Sequence, residues 1–291
     1  MVAVALLLFT AQDFVQAKSC AVCHSGIAAQ QSTTHHAHAL HLQPDHRWAF
    51  GAGAQAITYV SQTSADTYLE HGLSWYKKSG SLALTPGHRT PTGVTYQTFA
   101  PDANLLRCFQ CHSTGQLQLT SSRSIAPAET GVRCEACHGP GAAHAAAPAL
   151  ANIGNPRRLT ATQLNDLCGQ CHRMPLAAGV STNFDNPWNV RHQPVYLSQS
   201  ACFLKGQGQL SCLSCHRPHQ DSKPAADNQC VACHAKPKHL ASVSNKSCVS
   251  CHMPVVNPSP LLSFTNHWIG VYRLTGSGAN PLRPLQQRTS R

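Results

Sequence analysis

Aromatic residues make up only 6% of this 291-residue chain and charged residues only 11%. A composition so poor in both gives neither a large aromatic core nor a densely charged surface. Acidic side chains number 11 against 22 Lys and Arg, and methionine occurs three times. Long apolar runs are missing as well. The stretch from Val2 to Phe9 falls well short of the ~20 residues that cross a bilayer, so no membrane span is expected in the mature protein. What the chain does have is 15 cysteines, 19 histidines, 19 glycines and 19 prolines.

Fourteen of the cysteines fall into one pattern. C-x-x-C-H occurs at Cys20/Cys23/His24, Cys108/Cys111/His112, Cys134/Cys137/His138, Cys168/Cys171/His172, Cys212/Cys215/His216, Cys230/Cys233/His234 and Cys248/Cys251/His252. This is the attachment signature of c-type haem: two thiols add to the porphyrin vinyl groups, and the adjacent imidazole becomes the first axial ligand of iron. Seven copies predict seven covalently bound haems. Structural zinc also uses paired C-x-x-C, but it does not require a His directly after the second Cys, and all seven pairs have one. Thioredoxin-like pairs occur singly in a βαβ context that is absent here.

Shared among seven cofactors, 291 residues leave roughly 42 each. That is too little for a conventional apolar core, so the macrocycles themselves must supply buried surface, and folding is expected to depend on them. The predicted fold class is mainly α, with extensive irregular loops wrapped on stacked haems and a small β-hairpin insertion around residues 48–99. A formal charge of +11 would ordinarily suggest nucleic acid. Fourteen haem propionates reverse that balance, so Arg and Lys read as propionate partners and no nucleic-acid partner is expected. Haem c is attached outside the cytoplasmic membrane, which predicts a periplasmic or extracellular location. Cys202 is left over and reads as a small buried thiol.

Along the chain, residues 1–17 read as a signal peptide ending in Val15-Gln16-Ala17, although its basic leader is missing. Residues 18–107 form an N-terminal haem segment with the β insertion, in which 56–61, 67–77 and 81–85 have strand character. Residues 108–275 form a six-haem core, and 276–291 a flexible tail. The motifs from Cys108 onward begin 26, 34, 44, 18 and 18 residues apart. One helix is predicted locally, from the capping box between Thr160 and Gln163 and the apolar pair Leu159 and Leu164, and it runs into Cys168 and Cys171.

Twelve histidines remain for the second axial positions. His144, His219 and His239 lie six, three and five residues after the proximal histidines of their own motifs. That is too near to reach the opposite face of the same haem, and well placed for a neighbouring one. With His267 and His36 they are the leading distal candidates; His38, His88 and His192 stand behind them. Mostly bis-histidine coordination follows.

The stretches Arg107-Cys108-Phe109-Gln110-Cys111-His112, Gly131-Val132-Arg133-Cys134-Glu135-Ala136-Cys137-His138-Gly139-Pro140-Gly141-Ala142-Ala143-His144 and Cys212-Leu213-Ser214-Cys215-His216-Arg217-Pro218-His219 carry a resemblance. They resemble the multihaem c-type cytochromes related to hydroxylamine oxidoreductase and its tetrahaem electron-acceptor cytochrome. The resemblance implies distal roles for His144, His219 and His267, and haems stacked in parallel and perpendicular pairs. The C-x-x-C-K of the related nitrite reductases is absent. The expected function is electron carriage between redox protein partners. A reductase or oxidase of small nitrogen or sulfur compounds at one five-coordinate haem, and a subunit of a homopolymeric cytochrome wire, are the alternatives.

Overall fold

The computed structural model describes residues 13–97, 104–174, 182–206, 208–221, 227–235, 239, 246–273 and 282–285. Most of the expected signal peptide, residues 1–12, lies outside them, as do 276–281 and 286–291 of the expected tail. The chain divides into two compact units, Met1–Arg157 with His219–Asp221, and Arg158–Pro218 with Ser222–Arg291.

The first unit is dominated by an antiparallel sheet. Strands β1 (Leu40–Leu42), β2 (Trp48–Phe50), β3 (Ala56–Ser64), β4 (Thr67–Glu70) and β7 (Val94–Gln97) lie in that order, while β5 (Leu73–Tyr76) pairs with β3 and β6 (Ser81–Leu84) pairs with β5. Trp48 and Glu70 both pair with Val60, from opposite sides of β3. Gly72 separates β4 from β5, and a Cβ there would run into the Pro91 backbone, so the break between the two strands needs glycine.

Leu40, Phe50, Val60, Tyr68, Leu105, Phe109 and Ile125 form the core of this unit. Phe109 is the first of the two residues between Cys108 and Cys111, on helix α3 (Asn104–His112), and its ring meets Trp48, Phe50 and Tyr68 edge-on. The second haem motif is thereby fastened to the sheet. A hairpin of β8 (Ser113–Leu119) and β9 (Ile125–Thr130) follows, and the Tyr68 hydroxyl accepts the Ile125 N–H at 2.7 Å. Gly131, at φ +77°, leaves room for the Ala37 carbonyl where a side chain would collide. The Val132 N–H then donates to His36 O at 2.8 Å. Short helices α1 (Gln16–Cys23), α2 (Ser25–Ser32), α4 (Cys134–His138) and α5 (Ala142–Ala146) complete the unit.

The second unit contains α6 (Ala161–His172), α7 (Gln193–Leu197), α8 (Ala201–Lys205), α9 (Asp227–Val231), α10 (Cys248–His252) and the hairpin of β10 (Val255–Ser259) and β11 (Leu262–Thr265). Helix α6 opens on the expected reciprocal cap: Thr160 Oγ1 accepts the Gln163 N–H at 3.2 Å, and Gln163 Oε1 accepts the Thr160 N–H at 2.9 Å. The core of the unit is Val190, Val195, Tyr196 and Val256, with Phe184, Phe264, Trp268 and Leu282 packed against them.

The expectation of a mainly α fold is overturned. Of the described residues 33% are helical and 22% are in strands, and the insertion, expected to be a small β-hairpin or sheet, supplies six strands of a seven-stranded sheet. The reason lies in the motif itself. Two thiols at i and i+3 share a face within a single helical turn, so a C-x-x-C-H site needs about five helical residues and no more. Helices α4 and α10 are such short segments, five residues each. The β-branched and aromatic residues of the 48–97 region are left free to pair as strands.

Candidate haem-binding sites

Each motif sits on or beside one helical turn. Cys20 and Cys23 lie on α1, with His24 as its C-cap; Cys108, Cys111 and His112 end α3; Cys168, Cys171 and His172 end α6. Cys134, Cys137 and His138 lie within α4, as Cys248, Cys251 and His252 do within α10, where Cys251 Sγ is 3.7 Å from Ser250 Oγ. A 3-10 turn, Cys212–Ser214, leads into Cys215 and His216. The sixth motif departs from this regularity. Helix α9 carries Cys230 but ends at Val231, so Cys233 and His234 lie beyond it. The His234 N–H still donates to Cys230 O at 2.9 Å, closing one helical turn, and the residue is exposed.

None of the fifteen cysteines pairs in a disulfide. Three contacts join cysteines of different motifs: Cys20 with Cys134, Cys168 with Cys212, and Cys248 with Cys230. The hydrogen bond between Cys168 and Cys212 holds Cys168 down and pushes Cys212 upward. The remaining thiol, Cys202, is raised by burial and lies near Cys230 and Cys233.

The histidines are arranged more tellingly than the thiols. His24 and His144 stack with ring centres 6.3 Å apart and planes 15° apart. His138 and His219 do so at 6.1 Å and 8°, and His216 and His267 at 6.2 Å and 21°. His252 faces His239 at 5.9 Å with the rings turned 75°. Two imidazole nitrogens each about 2 Å from one metal, with roughly 1 Å from nitrogen to ring centre, place the centres about 6 Å apart. All four pairs match that separation. In each, a histidine of a C-x-x-C-H motif faces one of the leading distal candidates. The four pairs leave out the motif histidines His112, His172 and His234.

The far side of the rings is also ordered. Nδ1 of His138 lies 2.8 Å from Gly154 O, that of His144 3.0 Å from Ala149 O, that of His252 2.8 Å from Gly270 O, and that of His267 3.0 Å from Thr265 O. His112 Nδ1 lies 2.9 Å from Ala39 O. A carbonyl only accepts, so each Nδ1 carries the proton and Nε2 keeps its lone pair for a metal. Burial, with the neighbouring His216 and His172, pushes His267 down to about 4. His216 and His219 are also lowered, first by burial and then by His172 and His138 respectively. Neutral imidazole is the metal-binding form. Among the described residues no three His, Cys, Asp or Glu side chains converge as a metal site of their own. A haem iron asks the protein for axial ligands alone, and the donor set and spacing fit an iron between axial histidines.

The other candidates are placed differently. His36 and His38 are exposed in the turn after α2. His88, its side chain 7% exposed, has Nε2 3.7 Å from the Glu70 carboxylate. His192 takes a hydrogen bond at 3.2 Å from Arg173, and burial with Arg173 and Arg191 pushes it down to about 4. His172 Nδ1 meets Gln193 Oε1 at 3.2 Å. His35 pairs with Asp221 at 3.2 Å. Two residues had no role in the sequence reading. Buried Asn165 accepts the Cys212 N–H at 2.9 Å and donates to Leu210 O at 3.1 Å, fixing one motif beside another. Buried Glu135 stands between two motif cysteines, and the signal for it was an acid inside C-x-x-C in a chain with only 11 acids.

Residues 74–139, from β5 through α4, match the family model of cytochrome c554 and c-prime. The fold is similar to an undecahaem cytochrome from the S-layer of Carboxydothermus ferrireducens, with TM-score 0.55 and 17% identity over 91% of this chain. It is also similar to the outer cell wall cytochrome OcwA, with TM-score 0.53 and 16% identity over 88% of this chain. In that segment and in its fold the chain is similar to multihaem c-type cytochromes. The chain spans 53% of the length of the undecahaem protein and 79% of OcwA. No curated protein sequence matches it. Among the described residues no helix is long and apolar enough to cross a membrane.

Proposed function

We propose that this chain carries electrons outside the cytoplasmic membrane, with seven haems c held at its seven C-x-x-C-H motifs and mostly bis-histidine ligation. Bound haem supplies a one-electron ferric/ferrous couple. The chain's own residues set where that couple sits and how it is tuned. Cysteine pairs would attach each haem, the motif histidines would ligate its iron, and His144, His219, His267 and His239 would supply the second ligand opposite His24, His138, His216 and His252. Backbone carbonyls on Nδ1 orient the rings and raise their basicity. The exported location is supported by the likeness to an S-layer and an outer cell wall protein.

The observation that carries this reading is the set of four facing imidazole pairs, 5.9 to 6.3 Å apart. With a haem bound at such a pair, two protein nitrogens would hold its iron, which would serve outer-sphere electron transfer and leave no seat for a substrate. The Cys20–Cys134, Cys168–Cys212 and Cys230–Cys248 contacts support close approach of the cofactor edges, with the first site beside the third rather than the second. Intact mass gives the haem count. An EPR and visible titration of the oxidised protein with cyanide, nitrite and hydroxylamine tests the ligation. Low-spin spectra that ignore all three additions are expected. A high-spin signal worth one haem, abolished by an added ligand, would move the function to small-molecule redox catalysis.

A further inference from the structure

Glu135 lies between two haem-attaching cysteines, yet only 4% of it is exposed. Its carboxylate accepts three backbone N–H groups. Val15 and Gly141 donate to Oε1 at 3.0 and 2.7 Å, and Gln16 donates to Oε2 at 2.9 Å. These donors belong to the two sides of one imidazole pair. Val15 and Gln16 are the N-cap and first residue of α1, the helix that ends at His24. Gly141 is the N-cap of α5, which carries His144. There is little slack in the arrangement, since a Cβ on Gly141 would lie 3.1 Å from both Glu135 Oε1 and Val15 Cγ2.

The segment that reaches Glu135 is held at several further points. The Ala17 N–H donates to Glu129 at 3.0 Å, and Gln16 Nε2 donates to Ala128 O at 2.9 Å. The Phe14 ring closes over Gly115, where a Cβ would sit 3.3 Å from it. Gln16 is kept at φ +66°, a left-handed conformation that an L residue adopts only when its surroundings impose it.

We propose that Glu135 is a positioning residue, a buried carboxylate pin that holds His24 and His144 opposite one another at the first haem site, and that residues 14–17 therefore remain on the mature chain. The proposal rests on reading His24 and His144 as an axial pair. Val15-Gln16-Ala17 suits a signal peptidase, but cleavage after Ala17 would strip a buried carboxylate of two of its three donors. Processing upstream of Phe14 keeps the pin whole.

Intact mass and N-terminal sequencing of the exported holoprotein test the second half of the proposal. A chain that retains residues 14–17 is expected, and one that starts at Lys18 overturns it. For the pin, the fully loaded protein is compared with two variants by EPR and carbon monoxide binding. His144→Ala is expected to open one haem, and if it opens none, the axial reading beneath the proposal fails. Glu135→Leu is expected to give a high-spin, carbon monoxide-binding signal at that same haem alone. Glu135→Gln keeps an oxygen for Val15 and Gly141, and should restore most of the low-spin signal. If His144→Ala opens a haem and Glu135→Leu leaves every haem low-spin, the pin is overturned. Should Glu135→Leu fail to accumulate, Gly141→Ala crowds the same oxygen: a high-spin fraction supports the pin, and an unaltered spectrum overturns it.

Discussion

Residues 48–97 and residues 201–252 are about the same length and are built on opposite terms. The first stretch folds into six strands and buries Ala49, Phe50, Val60, Tyr68, Ser74 and Tyr76. The second holds three haem motifs, and the polypeptide alone fully buries none of its described residues. A pleated sheet with apolar residues on one face needs only its neighbours and one packed helix to become stable. A segment with an attachment site every 18 residues has no polypeptide left over to make a core of its own. The largest expected effect follows directly. In the chain produced without haem attachment, amides of β3 and β4 should stay protected from hydrogen exchange while those of 201–252 exchange as an unfolded chain does. Equal protection in both stretches would break the comparison.

That contrast also decides what could be read from the sequence. The motif turns were legible because two thiols and an imidazole at fixed spacing define their own local geometry. His144, His219 and His239 could be singled out because each lies too close to its own motif to serve there, and His267 because it is the lone histidine after the last motif. The cap at Thr160 was legible for a similar reason, since its two hydrogen bonds join residues three apart. The sheet was underestimated. Residues 67–77 have strand character throughout, and the break at Gly72 depends on the Pro91 backbone, 19 positions away in sequence. Glu135 was passed over for the same reason, because two of its three donors lie about 120 residues upstream.

Substitutions inside each stretch sharpen the contrast. Phe109 is fully buried beneath the sheet, with three aromatic rings edge-on to it. Phe109→Ala removes that contact and leaves a cavity, at a cost of about 3–5 kcal/mol in the unfolding of the sheet. Leu204→Ala, on α8 and 68% exposed, should stay within about 0.5 kcal/mol of the parent. Denaturant titration followed by tryptophan fluorescence measures both, and a comparable loss at Leu204 would mean that 201–252 has packing of its own. Between these extremes lies Thr160→Ala, which removes one half of a reciprocal cap and should cost about 1 kcal/mol, felt at the α6 motif.

The smallest expected effect is a matter of pH. His71 follows β4, donates its backbone N–H to Tyr59 O at 2.9 Å, and has Nε2 2.7 Å from Ser61 Oγ. Burial lowers its pKa from the ordinary 6.5, and Arg47, whose guanidinium lies over the Tyr59 ring, lowers it further against the opposing pull of Asp45. Below pH 6.5 the unfolded chain therefore takes up a proton that the folded sheet still refuses. The contribution of His71 to stability is complete above that pH and is lost as pH falls through the lowered folded value. His71→Gln can keep the contact to Ser61 while removing the titration. Stability of the parent should decline more steeply than that of the variant as pH falls below 6.5. Parallel slopes would show that the sheet accommodates a charged imidazole at this position, and that its core stops short of His71.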